Sequence, residues 1–128
     1  MMIADTDVLI DYLSGQGAVA DRIHLELERG DLRTTAVTRF ELLCGARNNR
    51  QKKAIEELLE ALPTLILDKA AADLAAEVRR SLERRGEGMG MADSLIAGIV
   101  LCHDGILLTR NLKHFERVEG LHLGRMHV

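Results

Sequence analysis

MMIADTDVLIDYLSG, residues 1–15, is the stretch from which the rest of the chain is read. The apolar run MMIA is short and ends abruptly at Asp5, as a buried strand does, and DVLIDYL continues as a helix that stops near Gly15. A strand that turns directly into a helix, with acids at the turn, is the first half of a parallel βα unit. Moving outward, residues 18–29 repeat a helical spacing, with Val19, Ile23 and Leu27 on one face and Arg22, Glu26 and Arg29 facing outward. LRTTAV reads as a second strand and FELLCGA as the helix after it. Ile55, Leu58, Leu59 and Leu62 mark an amphipathic helix that Pro63 breaks before the strand candidate TLIL. Ala71, Leu74, Ala75, Val78 and Leu82 line one face of a long helix, and SLIAGIVLC is apolar all round, as a helix inside the core must be. ILLT is the next strand and LHL a short last one. Strands alternating with helices demand a sheet covered on both faces. The expected fold is therefore a three-layer α/β/α sandwich around a central, mainly parallel sheet.

Composition sets the outer bounds. A chain of 128 residues suits one domain over residues 1–128, and 47% apolar residues suffice for its core. Only 2% are aromatic, so that core is built from Leu, Ile, Val and Ala, which favours helices on a sheet over an all-β sandwich. A net charge of −3 excludes polyanion binding by bulk charge. Cys44 and Cys102 lie among apolar helical neighbours outside any C-x-x-C pair, and are expected to be buried, reduced thiols. No basic-plus-apolar N-terminal signal and no apolar run approaching about 18 residues is present, so a cytoplasmic protein that meets no membrane is expected.

Parallel sheets bind ligands at the carboxyl ends of their strands. Asp5 and Asp7 follow the first strand, Glu41 lies in the first helical turn after TTAV, Asp93 opens the apolar helix, and Thr109, Arg110 and Asn111 follow ILLT. If the carboxylates converge, they raise one another's pKa until a cation sits among them. Oxygen donors without Cys or His favour Mg²⁺, with Mn²⁺ as a substitute, over zinc. Such an ion can serve in-line displacement at a phosphodiester. Plainer roles stand beside this one. Asp7 suits a helix cap, Thr38-Arg39-Phe40-Glu41 suits a capping box, and Asp93 suits the positive end of a helix dipole. Asp5 is harder to explain so, because an acid ending a buried strand needs a partner.

IADTDVLIDYL, TTAVTRFELLCGAR, GMADSLIAGIVL and LLTRNLKHFERVEGL occur in an order and spacing that resemble PIN-domain proteins, and more narrowly the VapC toxins of type II toxin–antitoxin pairs. The resemblance spans essentially the whole chain. It implies that Asp5, Glu41 and Asp93 are the metal-binding acids and that Asn111 stands where many PIN domains have a fourth aspartate. The amide removes one negative charge, so one well-held ion is expected rather than two. Thr6 and Thr109 resemble the small polar residues that support the site, although turn-capping hydroxyls would look the same. The resemblance further implies an endoribonuclease acting on tRNA or ribosomal RNA, and a homodimer silenced by a VapB-like antitoxin. That antitoxin would supply the contact with operator DNA.

Cations must flank an acidic pocket that takes RNA. Arg39, close to Glu41, and Arg110, next to Asn111, are the candidates for gripping phosphates. Arg47, Arg50, Lys52 and Lys53, and then Arg79, Arg80, Arg84 and Arg85, read as solvated helix faces. His103 and His114 lack metal-ligand spacing and suit surface or capping roles. Two other enzyme or signalling classes share parts of the pattern. Asp5-Thr6-Asp7-Val8 fits the opening of haloacid-dehalogenase-like phosphatases, but GMADSL is a poor match to their later acid loop. Receiver domains share the length and architecture, with Asp68 as a would-be phosphoacceptor, but the adjacent acid pair and late Lys-Pro are missing. A PIN-fold binding module without catalysis is the remaining alternative, and Asn111 is its one support.

Overall fold

The computed structural model describes residues 1–15 and 17–125; the last three residues of the expected 1–128 domain lie outside that range. In chain order the elements are β1 (Met2–Ala4), α1 (Thr6–Ser14), α2 (Gly17–Arg29), β2 (Leu32–Thr35), α3 (Ala36–Cys44) and α4 (Asn49–Ala61). They continue as β3 (Thr64–Leu65), α5 (Lys69–Arg84), α6 (Met91–Cys102), β4 (Ile106–Leu108), α7 (Leu112–Phe115) and β5 (His122–Leu123).

The strands form one five-stranded sheet in the order β3-β2-β1-β4-β5, with every pairing parallel. Met2 stands opposite both Leu32 and Ile106, and Ala4 opposite Leu108, so β1 is held on both sides. Successive strand residues point to opposite faces, and that alternation divides the core in two. Ala4 and Leu108 pack with Val8 and Leu9 of α1, Ile23 of α2 and Ile55, Leu58 and Leu59 of α4. Ile3 and Leu107 face the other way, against Leu82 of α5, Ile96, Ala97 and Val100 of α6, and Phe115 of α7. The three-layer α/β/α architecture with a parallel sheet is the one expected. No described helix is long and apolar enough to cross a membrane.

Several local readings are corrected. Helix α3 begins at Ala36, so Ala36 and Val37 leave the strand, and Glu41 falls in the second turn rather than the first. Thr35 caps that helix by accepting from the Thr38 amide (3.0 Å), which removes the capping box proposed for Thr38 and Glu41. TLIL contributes only Thr64 and Leu65 to the sheet, and Ile66 and Leu67 are exposed because the chain leaves the edge there. Glu26 is not outward: it is buried, and accepts from Arg22 and Arg29 at 3.1 Å each, while Arg22 also reaches the carbonyl of Arg125. An acid on the inner edge of a helix survives there because two guanidinium groups meet it. Cys44 is exposed and Cys102 half-buried, both as free thiols; Cys44 lies on the solvent side of α3, one turn after the exposed Phe40.

The buried helix α6 fits its groove through a glycine. A Cβ at Gly98 would stand 2.5 Å from the Ala71 carbonyl oxygen and 2.7 Å from the Ala75 Cβ, both on α5. Helices in that closeness cannot admit a methyl without moving backbone. Gly98→Ala is therefore expected to destabilise the protein by about 1–3 kcal/mol, read as a lower urea midpoint. Gly88→Ala, where an added Cβ meets nothing within 4 Å, serves as the neutral control.

Candidate active site at the carboxyl edge of the sheet

Chain order runs outward from β1 to β2 and β3, then returns to place β4 on the other side of β1. The connections of β1 and β4 diverge, which opens a crevice at their carboxyl ends, the place where open parallel sheets bind ligands. Asp5 ends β1 there. Its amide donates to the Leu108 carbonyl (2.9 Å), so the acid is locked to the neighbouring strand.

Both Asp5 oxygens are engaged. Oδ1 accepts from the Thr6 amide (2.8 Å), which makes Asp5 the cap of α1, and Oδ2 accepts from the Thr109 hydroxyl (2.8 Å) across the crevice. Thr109 Oγ1 in turn accepts from the Asn111 amide (3.0 Å). Thus β1, β4 and the turn after β4 meet through one hydroxyl. Thr6 works on the other side: its hydroxyl donates to Glu41 Oε1 (2.7 Å) and lies 3.1 Å from the Thr38 hydroxyl. Asp93, in the first turn of α6, has its Oδ2 3.9 Å from Nε2 of His114. The structure therefore joins Asp5, Thr109 and Asn111 in one group, Thr6 and Glu41 in a second, and Asp93 with His114 in a third. Arg110 Nε pairs with Asp11 Oδ2 (2.7 Å) while its side chain stays exposed, and Arg39 is exposed on α3.

These groups share one electrostatic field. Asp5 is nearly inaccessible, and burial, followed by the charge of Asp7, pushes its pKa up to about 6 against the hydrogen bonds from Thr109 and Thr6; Asp93 adds to the rise. Asp93 is raised by burial, lowered by His114, and raised again by Glu41 and Asp7. Asp7 is raised by burial, opposed first by its hydrogen bond from the Arg110 backbone. Mutual repulsion of this kind is what a cation relieves.

Among the described residues, no three His, Cys, Asp or Glu side chains stand together as a ready ligand set. The donors nevertheless fit a hard cation, because they are carboxylate oxygens that burial and one another's charge hold above their usual pKa. Glu41 Oε2 lies outside the hydrogen bond from Thr6. Beside Glu41 lies an open hollow of about 490 Å³, lined by Ile10, Leu13, Leu42, Arg47 and Gln51 among others.

Two residues named in the sequence were given plainer roles there. Asp7 does not cap α1, a role Asp5 fills; its Oδ2 accepts from the Arg110 amide (3.1 Å) and approaches the Thr109 hydroxyl (3.4 Å). The D-x-D spacing hinted at this, since it places both acids at one strand–helix junction. His114 was read as suiting a surface or capping role, and α7 carries its Nε2 to 3.9 Å from Asp93 Oδ2. Nothing in its spacing could have signalled that.

A central β1 flanked by parallel β2 and β4, with Asp5 and Asp7 at its carboxyl end, defines an open α/β/α sheet protein with an acidic crevice. The model of the PIN domain matches residues 2–121. The chain belongs to the PIN-domain family. Within it, a tRNA(fMet)-specific endonuclease VapC of Shigella flexneri is 32% identical over 121 residues, 91% of each chain. A VapC ribonuclease of Mycobacterium tuberculosis is 31% identical over 125 residues, 94% of this chain and 90% of that one. Among solved structures, the DNA-bound VapBC of Salmonella typhimurium superposes with a TM-score of 0.87 at 25% identity, over 98% of this chain and 97% of that one.

The pKa of Asp5 has a consequence for stability. Its folded value, about 6, lies above the ordinary 3.8, so the folded protein binds the proton more tightly than the unfolded chain does. The resulting stabilisation is full below about pH 4 and is lost as the pH rises through about 6. Without divalent cation, Asp5→Asn should gain stability relative to wild type between pH 4 and 7, by about 1–3 kcal/mol. Urea unfolding at several pH values measures this; a difference that stays flat with pH would contradict the burial of an ionisable Asp5.

Proposed function

We propose that this chain is the toxin of a VapBC-type toxin–antitoxin pair, a Mg²⁺-dependent endoribonuclease that cuts tRNA or ribosomal RNA and thereby stops translation. The observation that carries this reading is the buried, pKa-raised Asp5 at the β1–β4 crevice, with Asp93 and Asp7 near enough to act on its charge. The names of relatives that align along nine-tenths of the chain, ribonuclease and endonuclease VapC, support it.

In this reading Asp5, Glu41 and Asp93 would hold the ion, and Asn111 would offer an amide oxygen. When bound, such an ion would neutralise charge on the phosphodiester and help activate water. The chain does the rest. Thr109 fixes Asp5 and the Asn111 turn with one hydroxyl. Thr6 orients Glu41 by donating to its Oε1, which leaves Oε2 for the ion. Arg39 and Arg110 offer exposed cations to the RNA backbone, and Asp11 holds the Arg110 guanidinium in place. Side-chain hydrogen bonds that pre-set such ligands are worth about 10- to 100-fold in metal affinity or activity.

The partners follow the same reading: a VapB-like antitoxin that covers the acidic crevice and carries the operator-DNA contact, and a second copy of the toxin. Solved neighbours of the same fold are VapBC complexes, one of Rickettsia felis bound to a promoter DNA fragment, at 17% identity and a TM-score of 0.83. The cytoplasm is where both the RNA and such a partner are met.

Cleavage of cellular RNA by the purified chain, freed of partner, is the test. With Mg²⁺ it should give discrete fragments. Chelator should abolish them, and Asp5→Asn or Asp93→Asn should slow cutting by at least about a hundredfold, beyond what supporting groups alone are worth. Intact RNA from a folded, Mg²⁺-loaded protein would leave a PIN-fold binding module in its place.

A further inference from the structure

Asp7 lies in the first turn of α1, where an acid needs no purpose beyond the helix dipole. Its contacts are of another kind. Asp5 already caps the helix, which frees the Asp7 carboxylate to reach residues more than a hundred positions away. Oδ2 accepts from the Arg110 amide at 3.1 Å and stands 3.4 Å from the Thr109 hydroxyl. Strand β4 ends at Leu108, so this amide lies past the last sheet pairing, and Asp7 supplies the acceptor that a neighbouring strand would have supplied.

One helical turn later, on the same face of α1, Asp11 takes the Arg110 side chain through Nε at 2.7 Å. Helix α1 thus grips Arg110 twice, by main chain and by guanidinium. The grip is passed on. Thr109 Oγ1 accepts from the Asn111 amide while donating to Asp5 Oδ2, so the position of Arg110 sets that of both its neighbours.

We infer that Asp7 is a positioning residue of the nuclease: by accepting from the Arg110 amide it holds the Thr109–Asn111 turn against the start of α1, and so keeps Asn111 in register with Asp5. The inference rests on the nuclease reading for its kinetic consequence, but the tether itself is a property of the fold. What matters is where the acceptor oxygen stands, not the charge it carries. An amide at this position can accept the same hydrogen bond, whereas a longer acid cannot reach the same point without displacing the turn.

Three variants separate these roles: Asp7→Asn keeps the acceptor and removes the charge, Asp7→Glu keeps the charge and moves the acceptor, and Asp7→Ala removes both. Each is first checked for cooperative thermal unfolding. Two quantities are then read: hydrogen exchange of the Arg110 amide in the metal-free protein, and RNA cleavage with Mg²⁺. Asp7→Glu and Asp7→Ala should speed Arg110 exchange by about tenfold or more, as a lost hydrogen bond of about 1.4 kcal/mol would. They should slow cleavage by about 10- to 100-fold, as displacement of a site group by about 1 Å does. Asp7→Asn should restore protection and recover most of the cleavage lost in the other two.

Unchanged Arg110 exchange in folded Asp7→Ala or Asp7→Glu would overturn the tether. Cleavage that survives in Asp7→Glu but fails in Asp7→Asn would overturn positioning in favour of charge. A wild-type chain that cuts no RNA would defeat the nuclease reading, while the exchange measurement would still decide whether Asp7 holds the turn. Should Asp7→Ala fail to fold, the Asn and Glu variants carry the comparison alone.

Discussion

A carboxylate at the end of a buried central strand is the constraint around which the carboxyl edge of the sheet is organised. Moving an acid out of water is costly unless donors replace the water, and Asp5 obtains them from two directions. The Thr6 amide comes from the helix that Asp5 starts, and the Thr109 hydroxyl comes from the next strand. Because β1 lies between β2 and β4 with every strand parallel, those donors arrive from elements whose positions the sheet has already set. The residual cost shows in the acid's raised pKa, which burial causes first and the charge of Asp7 second, and a nearby cation would offset both.

Between the acids and the apolar layers runs a band of threonines. Thr34, Thr35, Thr38 and Thr109 are all buried, and each has a hydroxyl hydrogen bond or contact at the carboxyl edge. Thr34 ties β2 to the Ala4 carbonyl, Thr35 caps α3, and Thr38 sits against Thr6 as the latter orients Glu41. A hydroxyl serves such a boundary well, since it donates and accepts at once and adds no charge. Hydrophobic packing positions the backbone to within a side chain's width, and these hydroxyls then orient the carboxylates.

The fold was legible because its signals are local and periodic. Asp5 ending MMIA, the all-round apolar SLIAGIVLC and the helical stripe from Ala71 to Leu82 each follow from burial on one face or on all faces. Misreadings gathered where a neighbour distant in sequence overrides the pattern. Ile66 and Leu67 look like strand residues, yet the sheet has no further strand beside β3 to shelter them. Glu26 looks outward, but two arginines make its burial tolerable. Cys44 keeps apolar company in sequence while the turn of α3 sets it outside.

The sequence by itself determined the order of the strands and of every helix but the short α7, and which acids fall near strand ends, because backbone periodicity and solvent exclusion act over a few residues at a time. Only the tertiary structure decided the pairings: Asp5 with Thr109, Glu41 with Thr6, Asp93 with His114, and Asp7 with the amide of Arg110. Those contacts depend on β2 and β4 lying on either side of β1 and on α7 folding back toward α6. Such long-range choices are made by how two covered faces close over one sheet, and no single stretch of sequence carries them.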